Sequence, residues 1–253
     1  MIPKIDVINL AVRDLAVARN FYESALGGAV RDEDQRLSVD FGGNASRLTL
    51  RPWDAVASDA GLQAESSGFR AFTLSYILES ADEVDEILAR AERNGGTISK
   101  PPKNALWGYS AYATDPSGYL WKIASAKRRP LIGRKDAVTG NGHPVQAQEV
   151  PITIGVADMK RAREFYQEGL RLPVKKDYRK FVMFSGGDGT SDLGMYEREA
   201  LANDAAVDPT GSGFHGFSIT HLVESNLHVR QLLSRAIDAG RQMVKPALDT
   251  VGG

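Results

Sequence analysis

The stretch Asp14-Leu-Ala-Val-Ala-Arg-Asn-Phe-Tyr22 returns as Asp158-Met-Lys-Arg-Ala-Arg-Glu-Phe-Tyr166, 144 residues further along the chain. A longer block, residues 67–102, aligns without a gap on residues 212–247 at an offset of 145. The identical residues fall at turns, helix caps and apolar positions, where a shared backbone dictates the residue type. Self-similarity at a fixed offset marks a repeat architecture. The sequence is therefore a tandem duplication.

The repeat divides the 253 residues into two units of domain size. Unit 1 spans residues 1–124, a linker rich in Gly, Pro and polar residues spans 125–149, and unit 2 spans 150–253. The second copy ends opposite Trp107-Gly108 of the first, so we expect unit 2 to lack its last two strands. An unpaired sheet edge invites pairing with another chain. We therefore expect that a homodimer partner or the linker covers this edge, or that the chain is a shortened version of a longer protein.

Each copy predicts two modules in which a strand and a helix are followed by three strands. Residues 5–12 alternate and are rich in β-branched side chains, and Asp14 caps a helix that runs to about Leu26. In the second module, Ser80-Ala-Asp-Glu83 forms a capping box for a helix to Asn94. Strands around residues 97–124 complete that module. The pattern predicts an α+β fold of tandem βαβββ modules.

Composition and charge exclude several functional classes. The chain has 31 Lys and Arg against 32 Asp and Glu, so no broad basic face favours nucleic acid. It has no cysteine, which excludes disulfides and thiolate metal sites. No apolar run reaches the roughly 18 residues that a membrane span needs. We expect a cytoplasmic protein with neither a nucleic acid nor a membrane as partner.

The modules resemble the vicinal oxygen chelate superfamily, which contains glyoxalase I, bleomycin-resistance proteins and extradiol dioxygenases. The resemblance rests on residues 14–22, on Trp107-Gly-Tyr-Ser-Ala-Tyr and on Asp115-Pro-Ser-Gly-Tyr-Leu-Trp121, and residues 158–166 repeat it in copy two. It implies paired modules whose strands curl into cupped mixed sheets, with helices outside and the ligand inside the cup. One fold of this kind hosts isomerases, dioxygenases, transferases and pure binders.

Enzymes of this superfamily hold a divalent metal in the cup with His, Gln or Glu side chains, so the matching positions test for catalysis. The opening-strand position is Val7 in copy one and Pro151 in copy two, and the last-strand position of copy one is Lys122. A lysine opposes cation binding, which contradicts a metal site of the family type. In copy two only Asp192 and His221 could serve, and two ligands make a poor site for a divalent ion.

Aromatic and polar side chains at predicted cup positions favour capture of a small molecule. The candidate ligand-binding residues are Trp53, Tyr76, Trp107, Tyr109, Tyr112, Lys122, Tyr196, His215 and His221. His215 and His221 are six residues apart on one predicted strand, so they should face the same side.

The sequence thus favours a metal-free, glyoxalase-like and bleomycin resistance-like protein that binds a small organic molecule for sequestration or transport. The alternative is a lyase, isomerase or dioxygenase that uses Ni, Zn, Fe or Mn, with His221 and Asp192 as ligands. A third hypothesis is a structural or interaction module whose cups are filled by its own side chains. No catalytic residue can be assigned from the sequence.

Overall fold

The computed structural model describes residues 4–106, 108–130 and 145–247. Copy one contains, in chain order, the elements β1 (Val7–Val12), α1 (Leu15–Asn20), β2 (Ala29–Glu33), β3 (Arg36–Asp40), β4 (Arg47–Pro52), α2 (Trp53–Asp59), β5 (Ser66–Gly68), β6 (Phe72–Leu78), α3 (Ala81–Arg93), β7 (Thr97–Ala105), β8 (Gly108–Thr114) and β9 (Leu120–Ser125). Copy two contains β10 (Ile152–Val156), α4 (Met159–Arg163), β11 (Val174–Tyr178), β12 (Phe181–Phe184), β13 (Leu193–Glu197), α5 (Arg198–Ala205), β14 (Gly211–Gly213), β15 (Phe217–Thr220) and α6 (Asn226–Asp238). The predicted α+β fold of repeated βαβββ modules is confirmed.

The first helix of each copy begins where the sequence predicts. The Asp14 carboxylate accepts hydrogen bonds from the backbone N–H groups of Ala16 and Val17, at 2.8 and 3.0 Å. Both helices then widen into a π-helical turn, over Phe21–Ala25 in copy one and Glu164–Gly169 in copy two. Such a turn accommodates one extra residue, and sequence periodicity alone does not reveal it.

The sheets combine strands from both copies. The five-stranded sheet has the order β15-β1-β4-β3-β2, and the eight-stranded sheet has the order β11-β12-β13-β10-β6-β9-β8-β7. Strand β1 pairs antiparallel with β15 of copy two, and β6 pairs antiparallel with β10. Each sheet therefore contains strands of both copies.

A reciprocal pair of buried serines joins the copies at equivalent positions. The backbone N–H of Ser46 donates to the Ser191 hydroxyl, and the N–H of Ser191 donates to the Ser46 hydroxyl, both at 2.9 Å. Ser67 and Ser212 form a second such pair, with their hydroxyl oxygens 3.1 Å apart. Each pair joins residues that are 145 positions apart. The two copies are therefore related by a pseudo-twofold axis that passes between these serines.

The two faces of the eight-stranded sheet carry different helices. On its outer face, Leu74 and Tyr76 of β6 join the main hydrophobic core with Ile87 of α3. On its inner face, Tyr112 of β8 and Leu120 of β9 cluster with helix α5. Side chains along a strand alternate between these faces, so strand register decides which residues can line the cup.

Helices α3 and α6 occupy repeated positions but are buried to different extents. Five side chains of α3 are buried, whereas none of α6 is buried among the described residues. Helix α3 packs on β6, β8 and β9. Strand β15, which precedes α6, has β1 as its only described neighbour and lies at the edge of its sheet. No helix in the described ranges is long and apolar enough to cross a membrane.

This difference gives a matched test of the repeat, because Leu88 and Leu233 are identical residues at equivalent helix positions. Leu88 is 3% exposed and belongs to the main core, while Leu233 is only partly buried. We expect Leu88→Ala to lower the free energy of unfolding by about 2–4 kcal/mol and Leu233→Ala by less than about 1 kcal/mol. Urea unfolding followed by circular dichroism measures both. Equal losses would contradict the described burial of α6.

Candidate functional site

Three side chains form a row across the inner face of the eight-stranded sheet. Tyr112 of β8 pairs in register with Lys100 of β7 on one side and with Lys122 of β9 on the other. The ammonium groups of Lys100 and Lys122 lie 5.4 and 5.3 Å from the centroid of the Tyr112 ring. Cations at this distance from an aromatic ring are attracted to its face.

Asp204 at the end of α5 lies beside this row and pairs with both of its lysines. Its carboxylate is 2.9 Å from the Nζ of Lys122 and 3.2 Å from that of Lys100, and it accepts a hydrogen bond from the Tyr112 hydroxyl. Burial raises the pKa of Asp204, but Lys122, Tyr112 and Lys100 outweigh it and hold that pKa at about 2. Burial, and then the neighbouring Asp204, raise the pKa of the Tyr112 hydroxyl. The cluster is ionised and internally paired at neutral pH.

Helix α5 covers the inner face of the eight-stranded sheet, which is the surface predicted to form the cup. Its residues Leu201, Ala202 and Ala205 are buried against Phe69, Ala71, Tyr112 and Leu120. We call this arrangement of α5 and its Asp204 contacts the α5 plug. Beside it a shallow cavity of about 490 Å³ remains, lined by Lys100, Lys180, Tyr196 and polar residues of α5. The expected aromatic cup is therefore largely occupied by the chain itself.

The positions that match the metal ligands of the superfamily do not form a metal site. Val7 lies in register between Arg47 of β4 and Thr220 of β15. Asp192 is engaged by the Lys175 ammonium at 2.6 Å and by the Gly186 N–H at 3.0 Å. Among residues 4–106, 108–130 and 145–247, no group of three or more His, Asp and Glu could hold a metal ion.

The two ligands of the alternative metal hypothesis lie on different sheets and have other partners. Asp192 immediately precedes β13 in the eight-stranded sheet, whereas His221 immediately follows β15 in the five-stranded sheet. The Nδ1 atom of His221 is in hydrogen-bond contact with the carbonyl oxygen of Lys4. The described residues therefore do not fit the divalent ion that the family enzymes use.

A second group of predicted residues meets where the two sheets join. The Arg70 guanidinium carbon lies 4.4 Å from the Tyr119 ring centroid and 4.8 Å from that of Trp53. The Tyr119 hydroxyl is 2.5 and 2.7 Å from the carbonyl oxygens of Ala11 and Gly216. These hydrogen-bond distances link the turn before β9 to β1 and to the residue that precedes β15. Tyr119 thereby fixes one wall of the junction.

A cavity of about 360 Å³ opens beside Arg70, and we call it the junction pocket. It is lined by Phe69, Arg70, Phe72, Tyr119, Leu120 and Val207, together with neighbouring residues of the segments 68–72, 114–120 and 207–210. Asp208 adds a carboxylate to the lining, and this carboxylate accepts the Thr210 N–H at 2.7 Å. Aromatic and aliphatic walls with a few polar groups are typical of small-molecule sites.

Arg70 contributes a positive charge to the lining of the junction pocket, and no described carboxylate forms an ion pair with it. Its Nη1 is buried without a hydrogen-bond acceptor in the described part of the chain. His215 follows Phe214, which contacts the ring of Trp53 with centroids 5.3 Å apart. Burial, and then the nearby Arg198, lower the pKa of His215, so its imidazole is neutral at pH 7.

The predicted residues thus separate into several places. Tyr112, Lys122 and Tyr196 meet on the inner face of the eight-stranded sheet, and Trp53 and His215 lie near the junction pocket. Trp53 is 5% exposed, and its indole N–H donates to the Ala64 carbonyl at 2.6 Å. His221 lies at the end of β15, and Trp107 lies outside the described residues.

Tyr76 and Tyr109 do not line a cup, so their prediction as cup residues is wrong. Tyr76 is fully buried in the main core, where its hydroxyl donates to the Leu26 carbonyl. Tyr109 faces α3 and donates a hydrogen bond of 2.9 Å to Asp85. Because Tyr109 and Tyr112 are three residues apart on one strand, they point to opposite faces. Their odd spacing is visible in the sequence and predicts that only one of the two side chains can face the cup.

Asp204 and Lys100 were missed as site residues, and the repeat contained a signal for them. Asp204 is the counterpart of Asp59, and Lys100 that of Lys245, at an offset of 145. The ammonium of Lys245 lies 3.5 Å from the Asp59 carboxylate, so the same cross-copy contact occurs twice.

Residues 4–123 match the family model described as Glyoxalase/Bleomycin resistance protein/Dioxygenase superfamily. A putative dioxygenase from Bacillus subtilis aligns at a TM-score of 0.59 and 16% identity, over 95% of this chain and 76% of that one. Glyoxalase I from Zea mays aligns at a TM-score of 0.57 and 17% identity, over 93% of this chain and 79% of that one. At these identities the structures share the fold alone. No curated protein sequence is significantly similar to the chain.

The α5 plug predicts how stability depends on pH. The pKa of Asp204 is lowered from 3.8 to about 2, so its stabilising effect is complete above about pH 4 and is lost as the pH falls toward 2. We expect Asp204→Asn to lower the free energy of unfolding at pH 7 by about 2–3 kcal/mol, because two lysines lose their partner. The difference between the variant and the wild type should shrink as the pH falls from 4 to 2. Urea unfolding at pH 7, 4 and 2.5 measures it, and a pH-independent difference would contradict this assignment.

Proposed function

We propose that this chain, whose residues 4–123 match the Glyoxalase/Bleomycin resistance protein/Dioxygenase superfamily model, binds a small organic molecule in the junction pocket without a metal ion. The observation that carries the proposal is the contrast between two sets of positions. The metal-ligand positions hold Val7, Pro151 and Lys122, whereas the junction pocket offers aromatic walls and an unpaired arginine. Sequestration or transport of such a molecule needs recognition but no reacting group.

The α5 plug favours the junction pocket over the cup as the binding site. Displacement of α5 would expose its three buried apolar side chains and separate Asp204 from its lysines. Each of these steps costs free energy that a small ligand would have to supply. The junction pocket is already open, so a ligand can enter it without this rearrangement.

The walls of the junction pocket suit a flat, partly apolar ligand. The rings of Phe72 and Tyr119 lie with centroids 5.3 Å apart, and Phe72 also contacts Phe217 of the other copy at 4.2 Å. These contacts hold the ring of Phe72 in place, which lowers the entropy that binding must remove. The pocket combines residues 68–72 and 114–120 of copy one with residues 207–210 of copy two. Binding therefore depends on the exchange of modules between the copies.

Arg70 supplies the polar anchor. Its guanidinium is stacked on two aromatic rings, which restricts its motion and leaves its N–H groups for an acceptor. A carboxylate on the ligand would accept these hydrogen bonds in a strong, charge-assisted geometry. We therefore propose small aromatic carboxylates as the ligand class and benzoate as the probe.

The first test blocks the pocket. We expect benzoate to bind saturably to the wild type and to bind at least about tenfold more weakly to Val207→Trp, because the indole occupies the cavity. Val174→Trp, at an exposed site on β11, is the matched control and should bind as the wild type does. Isothermal titration calorimetry with and without EDTA measures the affinities. Loss of binding in EDTA, or equal affinity in all three proteins, would contradict a metal-free junction site.

The second test removes the anchor charge. Arg70→Met keeps the length of the side chain and removes the guanidinium, so benzoate affinity should fall about tenfold. Benzyl alcohol has the same ring without the charge, and its affinity should change by less than about twofold. Calorimetry with both compounds gives the comparison, and thermal unfolding confirms that the variant is folded. An equal loss for both compounds would show that Arg70 acts by shaping the pocket.

A further inference from the structure

A third cavity, of about 430 Å³, lies along helix α6 and shares no lining residue with the junction pocket. It is lined by Arg171, Val223, His228, Gln231, Leu232, Ser234 and Arg235. Two arginines and an imidazole therefore share one concave surface. Neither Arg171 nor Arg235 takes part in an ion pair among the described residues.

Two nitrogen atoms of this cavity are buried without a partner. The Nδ1 of His228 and the Nε of Arg235 have no hydrogen-bond partner within the described ranges. Buried polar groups in folded proteins nearly always have a partner, and an exception requires an explanation. A ligand that carries several acceptor oxygens would satisfy both atoms.

Copy one provides an internal comparison for this surface. At an offset of 145, His228 corresponds to Glu83, Gln231 to Glu86 and Arg235 to Arg90. In copy one the Arg90 guanidinium is paired with the Glu86 carboxylate, four residues before it on α3. Glu83 accepts the Ser80 N–H in a capping box. Copy two keeps the arginine but has neither carboxylate, so Arg235 has lost the partner that its counterpart retains.

A third difference is at the end of the first helix of each copy. Gly27, with φ of +68°, corresponds at an offset of 144 to Arg171, with φ of +59°. Glycine adopts this left-handed conformation without strain, whereas arginine pays a steric cost. In copy one, the Val145 carbonyl lies 3.5 Å from where a Cβ of residue 27 would be. That distance is an ordinary van der Waals contact, so space alone does not require glycine in copy one. Copy two holds an arginine in the strained conformation, and such strain concentrates at functional sites.

These differences change the formal charge of the site. Copy one has Glu83, Glu86 and Arg90, which sum to −1, since 1 − 2 = −1, and Gly27 adds nothing. The corresponding residues of copy two include Arg171 and Arg235, which sum to a formal charge of +2 when histidine is not counted. The two copies therefore share a fold at these positions but differ in formal charge.

We propose that this cavity, the α6 site, binds the phosphate group of a small organic phosphate monoester. A phosphate dianion offers oxygens to two guanidinium groups, which match its geometry well. Val223 and Leu232 form an apolar wall beside these cations, suited to the organic part of the ester. The α6 site is separate from the junction pocket, so a protein with both sites can bind two ligands.

The experiment titrates the full chain with inorganic phosphate and with phenyl phosphate, followed by calorimetry. Both should bind saturably, and phenyl phosphate should bind more tightly because its ring contacts the apolar wall. Gln231→Glu restores the residue of copy one beside Arg235, so both affinities should fall about tenfold or more. Arg171→Gly restores the other copy-one residue and should weaken binding similarly while relieving backbone strain. Lys127→Gln removes one exposed charge elsewhere and is the matched control, with affinities unchanged.

Both site variants carry residues that the same fold already accepts in copy one, and thermal unfolding checks that they are folded. Absence of saturable binding of both compounds to the wild type would overturn the proposal. Equal affinities in the wild type, Gln231→Glu and Arg171→Gly would also overturn it. Tighter binding of inorganic phosphate than of phenyl phosphate would overturn the monoester assignment. Gln231→Glu, which lies outside the junction pocket, should leave benzoate affinity unchanged, so failure at the junction pocket and failure at the α6 site are distinguishable.

Discussion

The exchange of modules between the two copies is the constraint on which the rest of the structure depends. Antiparallel pairing of β6 with β10 and of β1 with β15 makes each sheet from both copies. The buried serines at 46 and 191 satisfy one another's backbone N–H groups across the pseudo-twofold axis. Because buried N–H groups require partners, this reciprocal arrangement fixes the relative position of the copies. Neither half of the repeat can form its sheet with its own strands alone.

The same exchange closes the cups. Helix α5 covers the inner face of the eight-stranded sheet, and its Asp204 binds Lys100 of the other copy. Helix α2 occupies the corresponding place, and its Asp59 binds Lys245 of copy two. The cross-copy ion pair therefore occurs in both directions. A cup that enzymes of the superfamily use for a metal ion is here partly filled by a helix and its charge cluster.

Repeated positions show how one backbone supports different chemistry. Trp53 and Arg198 are counterparts at an offset of 145, and each donates a hydrogen bond to a counterpart carbonyl, of Ala64 and Pro209 respectively. The structural role is shared although the side chains differ. At His228 and Gln231 the structural role is not shared. Their counterparts Glu83 and Glu86 cap α3 and pair with Arg90, and copy two has no carboxylate at either position. At positions such as 228 and 231, copy two lacks a stabilising contact that copy one has. We expect the two copies to differ in ligand binding at such positions.

The sequence by itself determined the duplication, the modules and most helix starts, because caps, glycines and apolar spacing are local signals. Asp14 and Ser80 begin their helices as predicted. Tertiary structure alone decided which modules pair, that α5 enters the cup and that Tyr76 faces the core. The physical reason is that both copies have nearly the same strands, so pairing within a copy and between copies satisfies the same local pattern. Only the packing of the whole chain distinguishes the two, and it places Arg70, Tyr119 and the segment 207–210 around one pocket.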